Sequence, residues 1–266
     1  MNMENDILRN RFNPDGSVLR NHQMRMLEIL EVIDSICSKH GLTYWLCGGT
    51  LIGVMRHQGF IPWDDDIDIE MPEKDYKDFL RICSTDLPEK YRVQNHKTDI
   101  LYFNTFTKIR DLNSLIHEKT KDDRFYKFKG AFVDVFPVTS CNKNLYKLSR
   151  LIQKNLIIRP AKYIPFKFFH FCLIPIFYMV SFIYYLFGCI DKIIGSKGIS
   201  AAYGATFYIP AFDENKVIPV KRAIFEGKEM CVPNDPDYCL RLQYGDYMRI
   251  PPLDKIHVHA SNIDIF

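Results

Sequence analysis

The sequence predicts an α/β or α+β fold, because helical and strand-like segments alternate along most of its 266 residues. Apolar residues recur at helical spacing over residues 17–39, which predicts an amphipathic helix that ends near Gly41. Residues 66–71, with the sequence DIDIEM, alternate strictly between acidic and apolar side chains. That alternation is typical of a β-strand with one apolar face. The length favours one domain with an insertion over two independent domains.

The segment between the first helix and the acidic strand combines a strand, a glycine turn and a helix start. Residues 43–47 are β-branched and aromatic, which predicts a strand that ends at Gly48 and Gly49. Thr50 is expected to cap a short helix that extends through Met55. A helix N-terminus placed after a glycine turn can bind a phosphate group.

The later elements are predicted from proline, glycine and β-branched signals. Pro72 is expected to open a helix that extends past Cys83, since proline is tolerated in a first helical turn. Strands are predicted at 91–95, 101–110, 113–117 and 131–136, the last ending at Pro137. A hairpin around Glu226 and Gly227 is predicted over 223–232, followed by a helix over 235–243.

Composition bounds the class of protein. The formal charge of +3, from 35 basic and 32 acidic residues, does not indicate a nucleic-acid-binding surface. The eight cysteines contain no C-x-x-C pair, so we expect reduced thiols in a cytosolic compartment. The polar N-terminal sequence MNMENDILRNRF lacks the apolar core of a secretory signal, so export is not expected.

The apolar segment 168–190 contains 23 residues without a formal charge, which meets the length criterion for a membrane span. Pro175 interrupts it, and both flanks are basic, which fits a segment that enters and leaves the same leaflet. A single crossing would also separate the two parts of the chain on either side of it. In-plane or re-entrant attachment is therefore favoured over a soluble core hairpin or a true span.

Five carboxylates crowd into seven residues, and such a cluster repels itself unless a cation is present. They are Asp64, Asp65, Asp66, Asp68 and Glu70. Side chains two apart on a strand lie about 6.6 Å apart on one face, so Asp66 and Asp68 can hold a cation. Carboxylate oxygens favour Mg²⁺ or Mn²⁺. A solvated acidic turn is the alternative, but the regular alternation with isoleucine favours a metal site.

Asp134 lies within the apolar segment AFVDVF, where an unpaired buried carboxylate would cost roughly several kcal/mol. A bound cation would remove that cost, which makes Asp134 the predicted third ligand; a buried hydrogen-bonded aspartate is the alternative. Phosphate or substrate contacts are predicted for Gly48, Gly49, Thr50, Arg56, His57, Lys108 and Arg110, although each charged side chain also fits a solvated surface role. Trp63 is also a candidate substrate contact.

Residues 48–71, GGTLIGVMRHQGFIPWDDDIDIEM, strongly resemble the signature of the LicD family, which includes bacterial phosphocholine transferases and resembles fukutin-related proteins. Further blocks follow in the family's order and cover most of the chain outside roughly 140–220. They are LEILEVIDSICSKHGLTYWLCGGT, MPEKDYKDF, KIRD, GAFVDVFPV, FEGKEMCVP and LRLQYGDYM.

The resemblance implies an α+β, nucleotidyltransferase-like mixed β-sheet flanked by helices, with an apolar helical insertion. It implies a catalytic core over 1–140, a basic and apolar, membrane-associated insertion over 141–200, and a part over 201–266 that completes the catalytic domain. Carried onto this chain, the family's glycine turn is Gly48 and Gly49, and its catalytic, metal-binding carboxylates are Asp66, Asp68 and Asp134.

The resemblance also implies a reaction. A hydroxyl of a cell-surface glycan, lipid-linked saccharide or teichoic-acid precursor attacks the phosphorus of a CDP-linked alcohol, and CMP leaves in a metal-assisted in-line displacement. Asp134 is expected to activate that hydroxyl. Choline, ribitol, glycerol and ethanolamine are all compatible as the alcohol. Trp45, Trp63 or the many tyrosines could form an aromatic cage for the quaternary ammonium of choline. The expected location is the cytoplasmic face of a bacterial membrane, and no nucleic-acid partner is expected.

Two alternatives remain open from the sequence. A nucleotidyltransferase acting on a small hydroxylated molecule would keep the fold and the acidic site. A non-catalytic, membrane-attached scaffold would keep the apolar segment but would not need a bound cation.

Overall fold

The computed structural model describes residues 3–118, 123–205, 210–252 and 260–265. The helices are α1 (Met3–Phe12), α2 (Val18–His40), α3 (Gly48–His57), α4 (Glu73–Asp86), α5 (Lys143–Ile152), α6 (Arg159–Tyr163), α7 (Lys167–His170), α8 (Leu173–Ile194), α9 (Glu214–Val217) and α10 (Pro236–Tyr244), with a π-helical segment, Gln153–Ile158, between α5 and α6. The strands are β1 (Trp45–Leu46), β2 (Asp68–Pro72), β3 (Tyr91–Gln94), β4 (Thr107–Asp111), β5 (Ser114–Glu118), β6 (Phe132–Ser140), β7 (Ile199–Ala201), β8 (Lys221–Phe225), β9 (Lys228–Val232) and β10 (Ala260–Ile265).

The central sheet has the order β1-β2-β6-β4-β3, and β7 also pairs with β6. Strands β2 and β6 are parallel, whereas the other pairs in this sheet are antiparallel. Helices α2 and α4 pack against the sheet. The α+β class, a mixed sheet flanked by helices, is therefore confirmed.

The predicted helix over residues 17–39 is confirmed as α2. The Ser17 side chain accepts a hydrogen bond from the Arg20 N–H (3.2 Å), which satisfies one free donor of the first turn. Gly41 ends the helix in the left-handed conformation, with φ +65°. Its apolar stripe, which includes Met26 and Ile33, is fully buried in the main core.

The helix after the glycine pair begins earlier than predicted. Cys47 is its N-cap, and Gly48, with φ +56°, is already the first residue of α3. The prediction that Thr50 caps this helix is therefore wrong. The Thr50 hydroxyl instead accepts a hydrogen bond from the Asp68 N–H (2.9 Å), because the start of β2 supplies a donor at that point.

Three predicted strands have different bounds. Strand β1 is confined to Trp45–Leu46, β2 begins at Asp68 rather than at residue 66, and β4 begins at Thr107 rather than at 101. Strand β6 continues through Pro137, where the sequence predicted an end. The missing N–H of Pro137 is tolerated because it lies between the last residue paired with β4 and the first paired with β7.

The C-terminal elements lie against the N-terminal ones. Strands β8 and β9 form the predicted hairpin, with Glu226 and Gly227 both at positive φ in its two-residue turn. Glu226 also forms an ion pair with Arg20 of α2, with 2.6 Å between Glu226 Oε2 and Arg20 Nη2. The predicted helix over 235–243 is confirmed as α10, which Asp235 caps. The proposed division at residues 140 and 200 stays a prediction, and 206–209 and 253–259 lie outside the described residues.

The apolar segment folds as α7 followed by α8. Pro175 does not interrupt α8, because it lies in the first turn, where its missing N–H would have had no helical partner. Phe177, Val180 and Tyr184 recur on one side of α8 and are buried. The Tyr184 hydroxyl also donates to the Ser149 carbonyl oxygen (3.0 Å), so this side of the helix is held against α5 and the π-helical segment.

The other side of α7 and α8 is apolar and open to solvent. Within the described part of the chain, residues 167–194 form a stretch long and apolar enough to cross a membrane, judged by length and composition alone. Only 22% of its most apolar part is buried inside the protein. Phe168 and Ile193 are 74% and 86% exposed. We name the exposed apolar residues of 163–194 the apolar surface.

Candidate active site

A row of three charged side chains crosses the middle of the sheet. Asp68 of β2 is the register partner of Asp134 of β6, and Asp134 is the partner of Lys108 of β4. Adjacent strands lie about 4.8 Å apart, so the three side chains are near neighbours on one face. The Thr107 hydroxyl contacts that of Tyr76 on α4 (2.5 Å). By alternation along β4, the charged row lies on the sheet face opposite α4.

Lys108 and Asp134 form a buried ion pair. The Lys108 ammonium donates to both carboxylate oxygens of Asp134, at 2.7 and 2.8 Å, and both residues are less than a tenth exposed. Lys108 Nζ also lies 3.5 Å from the centre of the Phe132 ring. Asp134 is therefore a buried, hydrogen-bonded aspartate, as the alternative in the sequence analysis describes, and its role as a metal ligand stays a prediction. Burial nevertheless raises the pKa of Asp134 to about 6, against the lowering effect of Lys108.

Asp68 lies against the N-terminus of α3. A Cβ atom added to Gly48 would be 3.1 Å from Asp68 Oδ2, so glycine leaves room for this carboxylate. The Cys47 N–H also donates to the Asp68 carbonyl oxygen (3.1 Å), which joins the helix start to β2. Burial, followed by repulsion from Asp66 and Asp134, raises the pKa of Asp68 well above its ordinary value.

Asp64 lies over the second glycine. A Cβ atom on Gly49 would be 3.1 Å from Asp64 Oδ2, so the two glycines face one carboxylate each. Burial and then repulsion from Asp66 raise the pKa of Asp64 well above its ordinary value. Asp64, Asp66 and Asp68 therefore form the acidic centre, at a helix N-terminus whose free N–H groups favour negative charge.

Helix α2 holds the loop that carries these acids. The Gln23 side-chain amide donates to the Asp64 carbonyl oxygen (2.9 Å). His22 Nε2 lies 2.9 Å from the Asp65 carbonyl oxygen, so it is the protonated nitrogen of that ring. Both side chains are fully buried. The sequence analysis did not identify His22 or Gln23, because their partners are backbone atoms about 40 residues away.

Glu70 and Asp65, the other two acids of the five-acid run, lie outside the acidic centre. Glu70 is buried, and its carboxylate accepts a hydrogen bond from the indole N–H of Trp45 (2.7 Å). Burial raises the pKa of Glu70 to about 7. Asp65 is also buried, on the loop segment that His22 contacts. Only part of the five-acid run is therefore concentrated at the helix N-terminus.

The acidic centre fits a divalent cation in its chemistry. Its donors are the hard carboxylate oxygens that Mg²⁺ and Mn²⁺ prefer, and their mutual repulsion is relieved by positive charge. Among the residues that the structure describes, no group of three or more His, Cys, Asp or Glu side chains is arranged to hold a metal ion. Ligation of one ion by Asp66, Asp68 and Asp134 together therefore stays a prediction.

The predicted basic contacts have different environments. Arg110 is only 1% exposed, and its guanidinium donates to Gln94 Oε1 and to the Gly130 carbonyl oxygen, each at 2.7 Å. Arg56 and His57 lie at the C-terminal end of α3, where Arg56 donates to the Tyr247 carbonyl oxygen (2.9 Å). Burial and then Arg56 lower the pKa of His57 to about 4. A substrate role for these three stays a prediction.

Trp63 packs in a small apolar cluster away from the charged row. Its ring lies 5.3 Å from that of Phe12 in an edge-to-face arrangement, and Leu8 and Ile61 complete the cluster. The side chain is 8% exposed. The proposed contact with a quaternary ammonium stays a prediction.

Tyr244 is a candidate site residue that the sequence analysis missed. It ends α10, and its hydroxyl would lie 3.6 Å from a Cβ atom on Gly48. Burial, then the charge of Asp68, raises the pKa of Tyr244 above its ordinary value. The residue lies in the LRLQYGDYM block, but nothing in its spacing indicates that α10 reaches the acidic centre.

An acidic centre at a helix N-terminus, beside two parallel strands in a mixed sheet, is typical of domains that bind phosphate groups through a cation. The family model described as LicD/FKTN/FKRP, nucleotidyltransferase domain, matches residues 41–175, about half of the chain. The chain belongs to the LicD family.

Known relatives cover different parts of the chain. Lipopolysaccharide cholinephosphotransferase LicD of Haemophilus influenzae is 29% identical over 265 residues, which span 91% of this chain and 95% of that protein. An uncharacterised protein of Rickettsia typhi is 30% identical over 48% of this chain and 38% of its own length. Another, from Rickettsia prowazekii, is 36% identical over 45% of this chain and 53% of its own length.

Proposed function

We propose that this protein transfers phosphocholine, or a related phospho-alcohol, from a CDP-activated donor to a hydroxyl of a cell-surface glycan. The proposal rests chiefly on the charged row of Lys108, Asp134 and Asp68 beside the N-terminus of α3. The relative from Haemophilus influenzae, which matches over nearly its whole length, is named as a transferase of this kind. A nucleotidyltransferase-like fold and a transferase that acts on substituted phosphate groups are parts of the same proposal.

The N-terminus of α3 and Lys108 bind the donor. Free N–H groups of the first helical turn attract phosphate oxygens, and Gly48 and Gly49 let the backbone approach them closely. Lys108 supplies the positive charge nearest to Asp134 and Asp68. Its ammonium can donate to a phosphate oxygen while it remains close to Asp134, because ammonium has three donor hydrogens.

Asp66 and Asp68 hold Mg²⁺ or Mn²⁺, with Asp134 as the third ligand. When bound, this cation neutralises charge on the pyrophosphate of the donor. The carboxylates of this chain provide its negative surroundings, and His22 and Gln23 keep their loop in place. Tyr244 closes the side of the acidic centre next to Gly48.

Asp134 accepts the proton of the acceptor hydroxyl. The hydroxyl oxygen forms a bond to the phosphorus that carries the alcohol, the bond from that phosphorus to CMP breaks, and CMP leaves with the electron pair. Asp134 is suited to this role because burial raises its pKa, which makes it a stronger base than an exposed aspartate. The neighbouring Lys108 keeps it ionised before the proton arrives.

The test is a screen of CDP-choline, CDP-ribitol, CDP-glycerol and CDP-ethanolamine with Mg²⁺ or Mn²⁺ and a saccharide acceptor extract. Release of CMP together with transfer of the labelled alcohol phosphate to the acceptor supports the proposal. Retention of a nucleoside monophosphate on the acceptor, with CTP or ATP as donor, would support nucleotidyl transfer instead. Absence of Mn²⁺ binding and of turnover with every donor would support the scaffold alternative.

We also propose that the apolar surface attaches the protein to the cytoplasmic face of a bacterial membrane. Its exposed aromatic and aliphatic side chains are flanked by exposed lysines, which favour an interface rich in anionic lipid. These lysines are Lys162, Lys167, Lys192 and Lys197. Tyr184 and Phe177 hold α8 against the rest of the protein, which favours in-plane attachment over a span. Such attachment would keep the enzyme beside a lipid-linked acceptor.

A further inference from the structure

A groove of about 1100 Å³ lies between α4, β3 and α8. We name this cavity the basic groove. Asp66, Asp68 and Asp134 do not line it, so it is separate from the acidic centre. Tyr76 of α4 and Tyr184 of α8 mark its two walls. Its volume exceeds that of most small-molecule sites and is large enough for several sugar rings.

Lysines and arginines line the basic groove, so its charge is positive. Its described lining residues include five lysines and arginines but no aspartate or glutamate; the cations are Lys77, Arg81, Arg92, Lys97 and Lys127. Lys77 and Arg81 also form ion pairs with Glu73 and Asp78 along α4. The other three come from β3, the loop after it and the loop before β6. Cations that converge on one cleft from separate elements attract an anionic ligand.

Polar and aromatic groups also fit a saccharide. His96 lines the groove and is 8% exposed, and its Nε2 has no hydrogen-bond partner. His96 Nδ1 faces the Tyr102 carbonyl oxygen (3.3 Å), so in the neutral ring Nδ1 carries the proton and Nε2 is an acceptor. Because Nε2 is itself buried, a sugar hydroxyl can reach it only if a neighbouring side chain moves. The rings of Tyr76 and Phe106 provide apolar surface in the same groove.

The basic groove adjoins a smaller cavity beside the charged row. A smaller cavity of about 220 Å³ is lined by Lys108, Asn104 and Phe106, and the last two also line the basic groove. The Phe106 ring lies 4.5 Å from the Phe136 ring and 5.5 Å from Lys108 Nζ. Asn104 and Phe106 therefore separate the basic groove from the cavity that Lys108 lines, and a ligand in the groove would have to displace them to reach Lys108.

The far wall of the basic groove belongs to the helix that carries the apolar surface. Phe177, Ser181 and Tyr184 of α8 line the groove, whereas Phe182 and Tyr185 of the same helix are at least 60% exposed. One helix thus separates a cationic groove from an apolar exterior. That arrangement suits a ligand with an anionic polar part and an attached lipid.

We propose that the basic groove binds the anionic saccharide part of a lipid-linked acceptor and directs one of its hydroxyls toward Asp134. This inference rests on the proposed function and adds to it the site and charge of the second substrate. The groove cations recognise the acidic groups of the saccharide. The lipid part follows the apolar surface of α8 into the membrane.

The test is a binding measurement that does not depend on turnover. A fluorescein-labelled heparin tetrasaccharide is the anionic probe, and labelled maltotetraose is the neutral one. The triple variant R92A/K97A/K127A removes three exposed groove cations, and K39A/K74A/K228A removes three exposed lysines elsewhere as a matched control. We expect the groove variant to bind the anionic probe about tenfold or more weaker than wild type, as three lost charge-assisted contacts imply. The control should stay within about twofold of wild type.

Equal weakening of both variants, equal binding of the neutral probe, or unchanged binding by the groove variant would overturn the proposal. Wild-type CMP release from CDP-linked donors is measured in parallel. If wild type releases no CMP but the groove-specific loss of binding is observed, the proposed transferase function fails while the saccharide site stands. If wild type releases CMP but binding does not depend on the groove cations, the proposed saccharide site fails while the proposed transferase function stands.

Discussion

The acidic centre and the apolar surface depart in opposite ways from the usual distribution of side chains. Asp68 and Asp134 carry charged groups into the interior, whereas Phe168 and Ile193 leave large apolar groups outside. A buried carboxylate is costly unless a partner compensates it, and a contiguous exposed apolar area is rare on a soluble protein. Both regions therefore mark places where binding, rather than stability, explains the residue types.

The two regions differ in how the protein supports them. Hydrogen bonds hold the backbone around the acidic centre, such as that from the Asp68 N–H to the Thr50 hydroxyl. The described residues leave the exposed side of α7 and α8 uncovered. Substitutions in the first region should lower turnover, with effects on stability that depend on which charge is lost, whereas those in the second should alter membrane binding alone.

The largest expected effect comes from Asp68→Asn. Loss of one carboxylate from the acidic centre should lower the rate of CMP release by about 1000-fold or more, as expected when a metal-ligating charge is removed. The thermal midpoint should stay the same or rise, since the neutral amide relieves repulsion from Asp66 and Asp134. A donor assay and thermal unfolding measure the two effects.

Asp78→Asn is the matched control for that substitution. Asp78 lies on α4, where its carboxylate pairs with Arg81 (3.3 Å) at the surface. Its variant should keep wild-type turnover. Wild-type turnover in Asp68→Asn would remove the proposed ligand role.

The second prediction concerns the buried ion pair. Lys108→Met leaves the Asp134 carboxylate buried without its ammonium partner, which should lower the free energy of unfolding by about 3–5 kcal/mol. Urea denaturation at neutral pH measures the change. Turnover should also fall, because Lys108 is the proposed donor contact.

The double variant K108M/D134L separates the two effects. Replacing both charges by apolar groups of similar size should restore most of the lost stability, since no unpaired charge remains. Turnover should stay absent. If Lys108→Met is as stable as wild type, the buried Asp134 carboxylate does not need the Lys108 ammonium as its partner, which would contradict the prediction.

Local patterns in the sequence were sufficient for several elements, including the acidic strand. Period-3.6 spacing identified α2, the β-hairpin turn identified β8 and β9, and the alternation of DIDIEM identified β2 with Ile67 and Ile69 buried. The family resemblance identified the LicD family from several motifs in order, and the family model confirms it. These features depend on residues close together in the chain.

Features that depend on distant residues could not be predicted. The ammonium of Lys108 contacts Asp134 only because β4 and β6 pair in one register, so the sequence alone did not identify Lys108 as the partner of this acid. Thr50 binds the Asp68 N–H instead of capping α3, because β2 returns beside the helix start. Tyr244 lies near Gly48 only because α10 packs against α3.

The third prediction tests the apolar surface. The triple variant F168S/F182S/I193S changes side chains that are each at least 60% exposed. Loss of three apolar groups should weaken binding to vesicles containing phosphatidylglycerol by about 100-fold or more, since burial of each contributes roughly 1 kcal/mol or more. Co-sedimentation with vesicles measures the binding. The free energy of unfolding should not fall, because these groups make few internal contacts.

The same substitutions on the buried side of α8 provide the contrast. Phe177→Ser and Val180→Ser replace side chains that pack in the main core, so they should lower stability. Unchanged sedimentation of the exposed-face variant with vesicles would argue against membrane attachment through this surface.

The smallest expected effect concerns His22, whose ring contacts the Asp65 carbonyl oxygen in the acidic loop. Burial lowers the pKa of His22 from its ordinary value of 6.5 in the folded protein. The unfolded chain therefore binds the proton more readily, so the stability that neutral His22 contributes is complete above pH 6.5 and is lost as the pH falls below it. Between pH 7.5 and 5.5 this loss should be about 1 kcal/mol.

His22→Gln isolates that contribution, because glutamine can still donate to the Asp65 carbonyl oxygen but does not titrate. Asp134 and Glu70 have raised pKa values, so their protonation opposes the effect of His22 as the pH falls. Asp134 and Glu70 are present in both proteins. Their contributions to stability therefore cancel when the urea midpoints of wild type and variant are compared at each pH. An equal pH dependence in the two proteins would show that His22 is not held neutral by burial. The loop that carries Asp64 and Asp65 would then accept a protonated His22 beside it. The negative charge of the acidic centre would stabilise that positive charge.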